Sequence, residues 1–456
     1  MSKYRALAER FIEDIHQGKL QAGSKLPSLR KLAQLHQISM TTAVNCYQEM
    51  ESLGWLESRP QAGFFITSHA PINEPEWAAF TSQSAPSIQL PPLQELDGPF
   101  GISRLRLDTS TIEPLQKSFR TGLRISQQRL GYYPHPQGEP RLRHALANHF
   151  AQSGISLDTE QLVITHGCLD AVKKALLATT NKGDCVAISS PCYNGLLSLL
   201  AQLERNIVEI PSRSDGIDLD QLEAQLDAGQ IQAGLFCTTH MNPQGITMSV
   251  KQKQRLARLA AKYQTPIIED DVYIELAHSD FTPLPASDYD TSGYMIWCGS
   301  VSKTLSPSYR LGWCYSRRYR DQLIATDFGL SIPLQYAIAD FIASGHYSKH
   351  LKRARTQLKL DKQRYLHHLA SALPQGTRIT NPDGGLVLWL QLPNFDSVSF
   401  LHLAEQKRIA IRAGHFFTAS ARYRDCLRLN IGWGYDPEQL ATLCKLIAQH
   451  CQANIG

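Results

Sequence analysis

YMIWCGSVSKTLSPSYRLGW, residues 294–313, opens as an apolar run and then breaks into serines around one lysine, Lys303. Tyr294, Ile296 and Trp297 favour an extended, buried strand. The run ends at Ser300, and Arg310 follows Lys303 across a loop punctuated by Pro307. A lysine at a strand end, beside a hydroxyl and a guanidinium, suits a phosphorylated aldehyde. The amine condenses with the carbonyl while Ser300 and Arg310 clamp the phosphate.

Four other short apolar runs share this form: LVIT (162–165), CVAISS (185–190), AGLFCTT (233–239) and PIIEDD (266–271). Amphipathic stretches such as CLDAVKKALLA (168–178) and VKQKQRLARLAAKY (250–263) separate them. This alternation predicts an α/β domain of parallel strands with crossover helices on both faces. After about residue 335 come a long basic-rich helix, strands including GLVLWLQL (385–392) and a last helix, the pattern of a smaller α+β lobe. The expected unit is 99–456, with a large lobe over about 130–335 and a small lobe over about 336–456. The preceding stretch, 69–98, is rich in proline, serine and polar residues and reads as a linker.

Residues 1–68 form a separate unit. Tyr4, Leu7, Ala8, Phe11, Ile12 and Ile15 recur at helical spacing. Ser28 can cap a second helix, LRKLAQLH, and Ser39 a third, MTTAVNCYQEMESLG, ending at Gly54. In the third helix Ala43, Cys46, Tyr47 and Met50 fall on one face, which leaves Thr41, Thr42, Val44, Asn45 and Gln48 facing outward. WLESRPQAGFFIT (55–67) reads as two short strands around a Pro/Gly turn. The result is a helix–turn–helix with a wing. Its eight Lys/Arg against six Asp/Glu leave a charge of only +2, yet Lys25, Arg30 and Lys31 cluster just ahead of the third helix, where phosphate contacts fall.

Composition bounds the rest. The 456 residues carry a net charge of +5, with 19% charged and 43% hydrophobic residues, an ordinary globular balance. No apolar run is long enough to cross a bilayer, and MSKYRALAER is not a signal peptide, so a cytoplasmic protein is expected. Ten cysteines without paired C-x-x-C spacing point to buried thiols rather than disulfides or a metal site.

A protein that holds pyridoxal phosphate needs more than a lysine, and the strand ends supply candidates. Asp270 closes PIIED and can hold the pyridinium proton, with Tyr273 three residues on for the ring oxygen. Asn242 in MNPQG offers an amide to the same oxygen, and Tyr193 in SPCYNG can stack on the ring. Gly167, Cys168 and Leu169 begin a helix, whose free amides suit a phosphate dianion. His166 and His240 flank these motifs and read as packed histidines, and the run KRARTQLKLDKQR (352–364) as a solvated helix face.

Together these residues, in this order, resemble a fold-type I aminotransferase of the aspartate aminotransferase superfamily over about 100–456. Residues 1–68, with LPSLRKLA and the helix after it, resemble a GntR-type winged helix. The two joined in this order are similar to the MocR subfamily of regulators. The resemblance implies pyridoxal 5'-phosphate joined as an imine to Lys303, Asp270 on the ring nitrogen, and Tyr273 and Asn242 on the ring oxygen. It implies a phosphate cradle of Ser300, Arg310, Gly167, Cys168 and Leu169. Tyr133 matches the tyrosine that reaches the phosphate of a neighbouring subunit, which implies a homodimer, and Arg428 matches the arginine that grips a carboxylate. DNA contacts are expected from Lys25, Ser28, Arg30, Lys31, Ser39, Thr41, Thr42 and Asn45, and from Arg59, Gln61 and Gly63 in the wing. Three departures stand out: Gln244 replaces the usual threonine of N-P-T-G, Cys168 sits where small hydroxyl or alanine residues are frequent, and Met40 stands where many GntR domains carry arginine. The implied function is a DNA-binding regulator that senses pyridoxal phosphate or an amino compound through Lys303. The rival is a working aminotransferase with the winged helix secondary.

Overall fold

The computed structural model describes residues 3–16, 19–21, 23–52, 55–59, 62–67, 73–87, 98–279, 282–325 and 329–454. At the N-terminus, helices Lys3–His16, Leu29–Leu35 and Met40–Ser52 precede a two-stranded antiparallel wing, Leu56–Arg59 with Gly63–Ile66. Ala43, Cys46, Tyr47 and Met50 are all buried, together with Ala8, Leu26, Leu32, Leu56 and Ile66. Tyr47 Oη donates to Pro27 O at 2.8 Å and ties the third helix to the turn before the second. Gln61 and Gly54 lie outside the described residues.

The stretch expected to be linker is partly docked. Ser84–Pro86 forms an edge strand antiparallel to Asn206–Arg213. Glu76 N donates to Gln391 Oε1 at 2.8 Å, and Glu76 pairs with Arg378 at 2.8 Å. Gln221 Nε2 donates to Phe80 O at 2.8 Å. Residues 73–87 therefore run as a strap over both lobes, with polar side chains because one face stays wet.

Among the described residues the large sheet runs in the order Ser84–Pro86, Asn206–Arg213, Cys185–Ser190, Ala233–Phe236, Ile267–Asp270, Met295–Ser300, Gly312–Tyr315, Leu162–Thr165. Its inner strands are buried along their whole length, which explains their nearly continuous apolar sequence. The expectation of parallel strands holds across the middle, from Asn206–Arg213 to Met295–Ser300. A further strand that the sequence reading did not name, Gly312–Tyr315, lies between Met295–Ser300 and Leu162–Thr165 and is antiparallel to both. Residues 301–311 contain no crossover helix, and a strand returning without one must reverse direction. Helix Thr109–Ser126 packs on Ile332–Ala343 so closely that a Cβ on Gly122 would meet Ala337 N at 2.6 Å.

Helix His346–Ala372 leads into the small lobe, a four-stranded sheet ordered Arg378–Ile379, Val387–Gln391, Cys426–Asn430, Arg412–Ala413. All ten cysteines are free, and most are buried. Among the described residues no helix is long and apolar enough to cross a membrane.

Candidate cofactor site and nucleic-acid interface

One cavity at the C-terminal ends of the parallel strands gathers most of the residues singled out above for the cofactor. Its walls include Cys168, Leu169, Tyr193, Asn242, Asp270, Tyr273, Ser300, Lys303 and Arg310. Asp270 and Ser300 each end a strand, so their side chains arrive at the edge where ligands bind in open α/β sheets. Gly167 caps helix Cys168–Thr179 with φ +91 and ψ 172, which only glycine adopts without strain. The missing Cβ leaves room for Arg310, whose Nη2 would lie 2.8 Å from it and donates to His166 O at 3.3 Å. The amides of the first helical turn have no partner within the helix, and Cys168 and Leu169 of that turn line the cavity.

Lys303 is buried. Its Nζ donates to Ser103 O at 2.7 Å and stands 6.0 Å from the Tyr273 ring centre. Burial, and then the Arg428 charge, push its pKa down to about 8, against the pull of Asp270. Burial raises the Asp270 carboxyl, while the Cys168 thiol, donating to its Oδ1 at 3.0 Å, and Lys303 oppose the rise. Asn242 Nδ2 donates to Tyr273 Oη at 3.2 Å, and Ser103 Oγ lies 3.1 Å from that phenol. Behind the lysine, His350 Nε2 lies 2.7 Å from Thr304 O, and Tyr347 Oη lies 2.7 Å from Thr304 Oγ1 and donates to Glu275 at 2.8 Å. This network fastens the lysine loop to the helix that leads into the small lobe.

Arg428 approaches from the small lobe. It is 3% exposed, and burial pushes its pKa down to about 10. Its guanidinium donates to Asn242 Oδ1 at 3.5 Å and to Gly101 O, and its Nε has no acceptor among the described residues. Tyr133 stands apart from the cavity, its side chain 94% exposed. His240 is buried beside Thr247, its Nδ1 2.9 Å from Thr247 Oγ1, and burial holds its pKa well below the usual range. Sequence reasoning missed Ser103, Gly101, Ser302 and Cys237. The first two act through carbonyls, which every residue type carries, from a segment 200 positions or more away in the chain. Ser302 Oγ is buried without a partner among the described residues.

In the winged helix, Lys25, Arg30, Lys31, Ser39, Thr41 and Arg59 are exposed, while Thr42, Asn45 and Gly63 are half-buried. Ser28 and Ser39 spend their hydroxyls on helix caps, accepting from Lys31 N at 3.4 Å and Thr42 N at 3.1 Å. Arg59 pairs with Glu57 on the wing, its Nε donating at 2.8 Å, and stacks 4.4 Å over Phe65. Met40 is 46% exposed at the start of the third helix, so an arginine there would have reached solvent.

Known proteins resemble both parts. Residues 99–447 match the family "Aminotransferase class I and II", and residues 3–66 match "Bacterial regulatory proteins, gntR family". The HTH-type transcriptional regulator YdcR of Escherichia coli is 32% identical, over 98% of this chain and 100% of that protein. YjiR of the same organism, another HTH-type regulator, is 30% identical over 94% of this chain and 95% of its own length. Among solved structures, kynurenine aminotransferase of Pyrococcus horikoshii, crystallised with PMP, is 26% identical with a TM-score of 0.69, covering 78% of this chain and 92% of that one. The cofactor this family implies is pyridoxal 5'-phosphate, and the donor set fits it: an amine, a carboxylate, a phenol and an amide around one cavity, with a cradle that a Cβ on Gly167 would fill. The chain belongs to the MocR-type transcriptional regulators, in which a GntR winged helix is fused to a class I and II aminotransferase-like domain.

Proposed function

We propose that this regulator binds DNA as a homodimer and changes its operator occupancy when an amine takes the place of Lys303 in the cofactor cavity. The observation that carries the reading is the convergence of Lys303, Asp270, Tyr273, Asn242 and Arg310 on one cavity in a chain that begins with a winged helix. When bound, pyridoxal phosphate supplies an aldehyde that condenses with amines and a ring that accepts electron density. The chain's own residues do the rest. Lys303, with its lowered pKa, keeps a larger neutral fraction near pH 7 than an exposed lysine does and so is a ready nucleophile. Asp270 would hold the ring nitrogen, with the Cys168 thiol orienting its carboxylate. Asn242 and Tyr273 would hold the ring oxygen and Tyr193 the ring face. Ser300, Arg310 and the amides of Gly167, Cys168 and Leu169 would hold the phosphate. Arg428, buried with only neutral acceptors, would take an effector's carboxylate.

A dimer is supported by apolar side chains left in the open on helix Thr109–Ser126 and the turn after it: Ile112, Leu123, Leu130, Tyr132 and Tyr133. In such a dimer Tyr133 would complete the phosphate site of the partner subunit. Two winged helices on one two-fold scaffold then meet two half-sites, and occupancy of the Arg428 site biases one arrangement of the lobes over another. A regulator of this kind works in the cytoplasm.

The test uses the full chain. It turns yellow with pyridoxal phosphate, Lys303→Ala does not, and footprinting of the DNA flanking its own coding region shows protection that changes when an amine is added. Turnover of an amino acid and keto acid pair at ordinary enzyme rates, with DNA untouched, defeats the regulator reading in favour of a working aminotransferase.

A further inference from the structure

Lys303 is held at its tip by the Ser103 carbonyl, and its root is held from elsewhere. Thr304, the next residue, is 1% exposed and meets two side chains from one turn of helix His346–Ala372. His350 Nε2 lies 2.7 Å from Thr304 O, and Tyr347 Oη lies 2.7 Å from Thr304 Oγ1. Tyr347 and His350 are three apart and share a helix face, so both reach the same residue. Leu305 N donates to Val301 O at 2.8 Å and closes the loop around the lysine. The same helix runs on into the small lobe, where Tyr365 and Leu369 join the core.

The protons of this cluster follow from its chemistry. A carbonyl has none to give, so His350 carries a proton on Nε2 and donates it to Thr304 O. Burial lowers the His350 pKa, against the pull of that carbonyl, and the imidazole is neutral. Its Nδ1, 3.1 Å from Thr111 Oγ1, therefore accepts the threonine hydroxyl. Arg353 Nη2 donates to the same oxygen at 2.9 Å and Arg353 Nε to Asp108 Oδ2 at 2.7 Å, which leaves the hydroxyl's own proton for the histidine. On the other side Tyr347 donates to Glu275 at 2.8 Å, so the Thr304 hydroxyl donates to Tyr347. A buried network satisfied in this way is rigid. None of Thr111, Thr304, Tyr347 and His350 lines the cofactor cavity, and what they hold still is the backbone beside the lysine.

We propose that His350 is a positioning residue for Lys303: by holding the Thr304 carbonyl it fixes the backbone from which the amine reaches the aldehyde. The proposal rests on the reading of the cavity as a pyridoxal phosphate site. In the condensation the neutral Lys303 amine forms the carbon–nitrogen double bond, and the aldehyde oxygen leaves as water with both amine protons, so no oxidant or reductant is needed. The probes are pyridoxal phosphate and pyridoxamine phosphate, which shares the ring and phosphate but carries an amine and cannot condense with lysine. On the cofactor-free full chain, capture of pyridoxal phosphate is followed by stopped-flow absorption and binding of pyridoxamine phosphate by tryptophan fluorescence. In His350→Leu the capture rate falls about 10-fold to 100-fold, because a reacting atom misplaced by about 1 Å costs that much, while pyridoxamine phosphate binds as in the parent. His350→Gln, whose amide N–H replaces the Nε2 donor, recovers the rate to within about threefold. Thr111→Val keeps the side chain's shape but removes the hydroxyl that orients the imidazole, so it slows capture by a smaller factor. A parent-like rate in His350→Leu, or in Thr111→Val where the leucine variant does not fold, overturns the proposal. So does a glutamine variant no faster than the leucine one, since the donor is then not what matters. Equal loss of both ligands gives His350 a merely structural role and also overturns it. If the unsubstituted chain captures no pyridoxal phosphate, the reading of the cavity fails and the proposal falls with it.

Discussion

Replacing Gly167 by alanine tests the phosphate cradle at its tightest point. Gly167 sits at φ +91 and ψ 172, a region populated almost only by glycine, so alanine costs about 1–3 kcal/mol in backbone strain alone. Its Cβ would also come within 2.8 Å of Arg310 Nη2 and 3.2 Å of the guanidinium carbon. The guanidinium is the exposed end of a flexible side chain, so it yields by swinging out of the cradle while the Arg310 backbone stays in place. That backbone is in the left-handed region at φ +45, between the turn Pro307–Tyr309 and strand Gly312–Tyr315. A displaced guanidinium forfeits a hydrogen bond to a charged group, about 1.5–3 kcal/mol. Affinity for pyridoxal phosphate should then fall about 10-fold to 150-fold. Equilibrium titration by absorption or by tryptophan fluorescence measures this, with pyridoxal, which lacks the phosphate, as the control whose affinity changes little. If the variant binds pyridoxal phosphate like the parent, the cradle is misassigned. If it loses both compounds equally, the damage is a general loss of structure and the argument about the phosphate fails.

Three further outcomes are expected. Cys168→Ala removes the thiol that donates to Asp270, so the carboxylate is more easily protonated and pyridoxal phosphate affinity drops by about fivefold, below the usual range for a bond to a charged group because a thiol is a weak donor; Cys168→Ser restores it, and equal affinity in all three proteins refutes the role. Capture of pyridoxal phosphate by the cofactor-free chain should speed up as pH rises toward about 8 and then level off, because only the neutral Lys303 amine attacks and its pKa is lowered to that value; a stopped-flow profile that is flat from pH 6 to 9 contradicts it. Arg30→Ala, at an exposed position in the second helix, should weaken DNA binding about uniformly across sequences and reduce the salt slope by about one charge, measured by fluorescence anisotropy; an altered sequence preference would mean that Arg30 reads bases.

Much of the architecture was legible because burial leaves a direct mark on composition. Strands such as Leu162–Thr165 and Ala233–Phe236, buried along their length, carry almost wholly apolar sequences. Ala43, Cys46, Tyr47 and Met50 announced their helix face by spacing alone, and all four are buried. Strand Gly312–Tyr315 shows where this mark gives out. Its four residues follow the lysine loop without announcing a strand, and its direction is set by that loop and by the two neighbours it joins. Residues 73–87 show the same limit from the other side. Their polar, proline-containing sequence reads as linker, and only their contacts with Gln221, Arg378 and Gln391 reveal a strap.

For the site, the sequence alone determined which chemical groups were on offer: one lysine after a strand, a carboxylate ending another, an amide, a phenol and a helix start. Those are properties of single residues and short motifs, and neither packing nor register is needed to list them. The tertiary structure alone decided which of them meet. It brought the Ser103 carbonyl to Lys303, the Cys168 thiol to Asp270, and His350 to the Thr304 carbonyl. The reason is physical: a side chain's chemistry travels with its residue, but the distance between remote segments is set by how buried faces pack, and no local pattern records that.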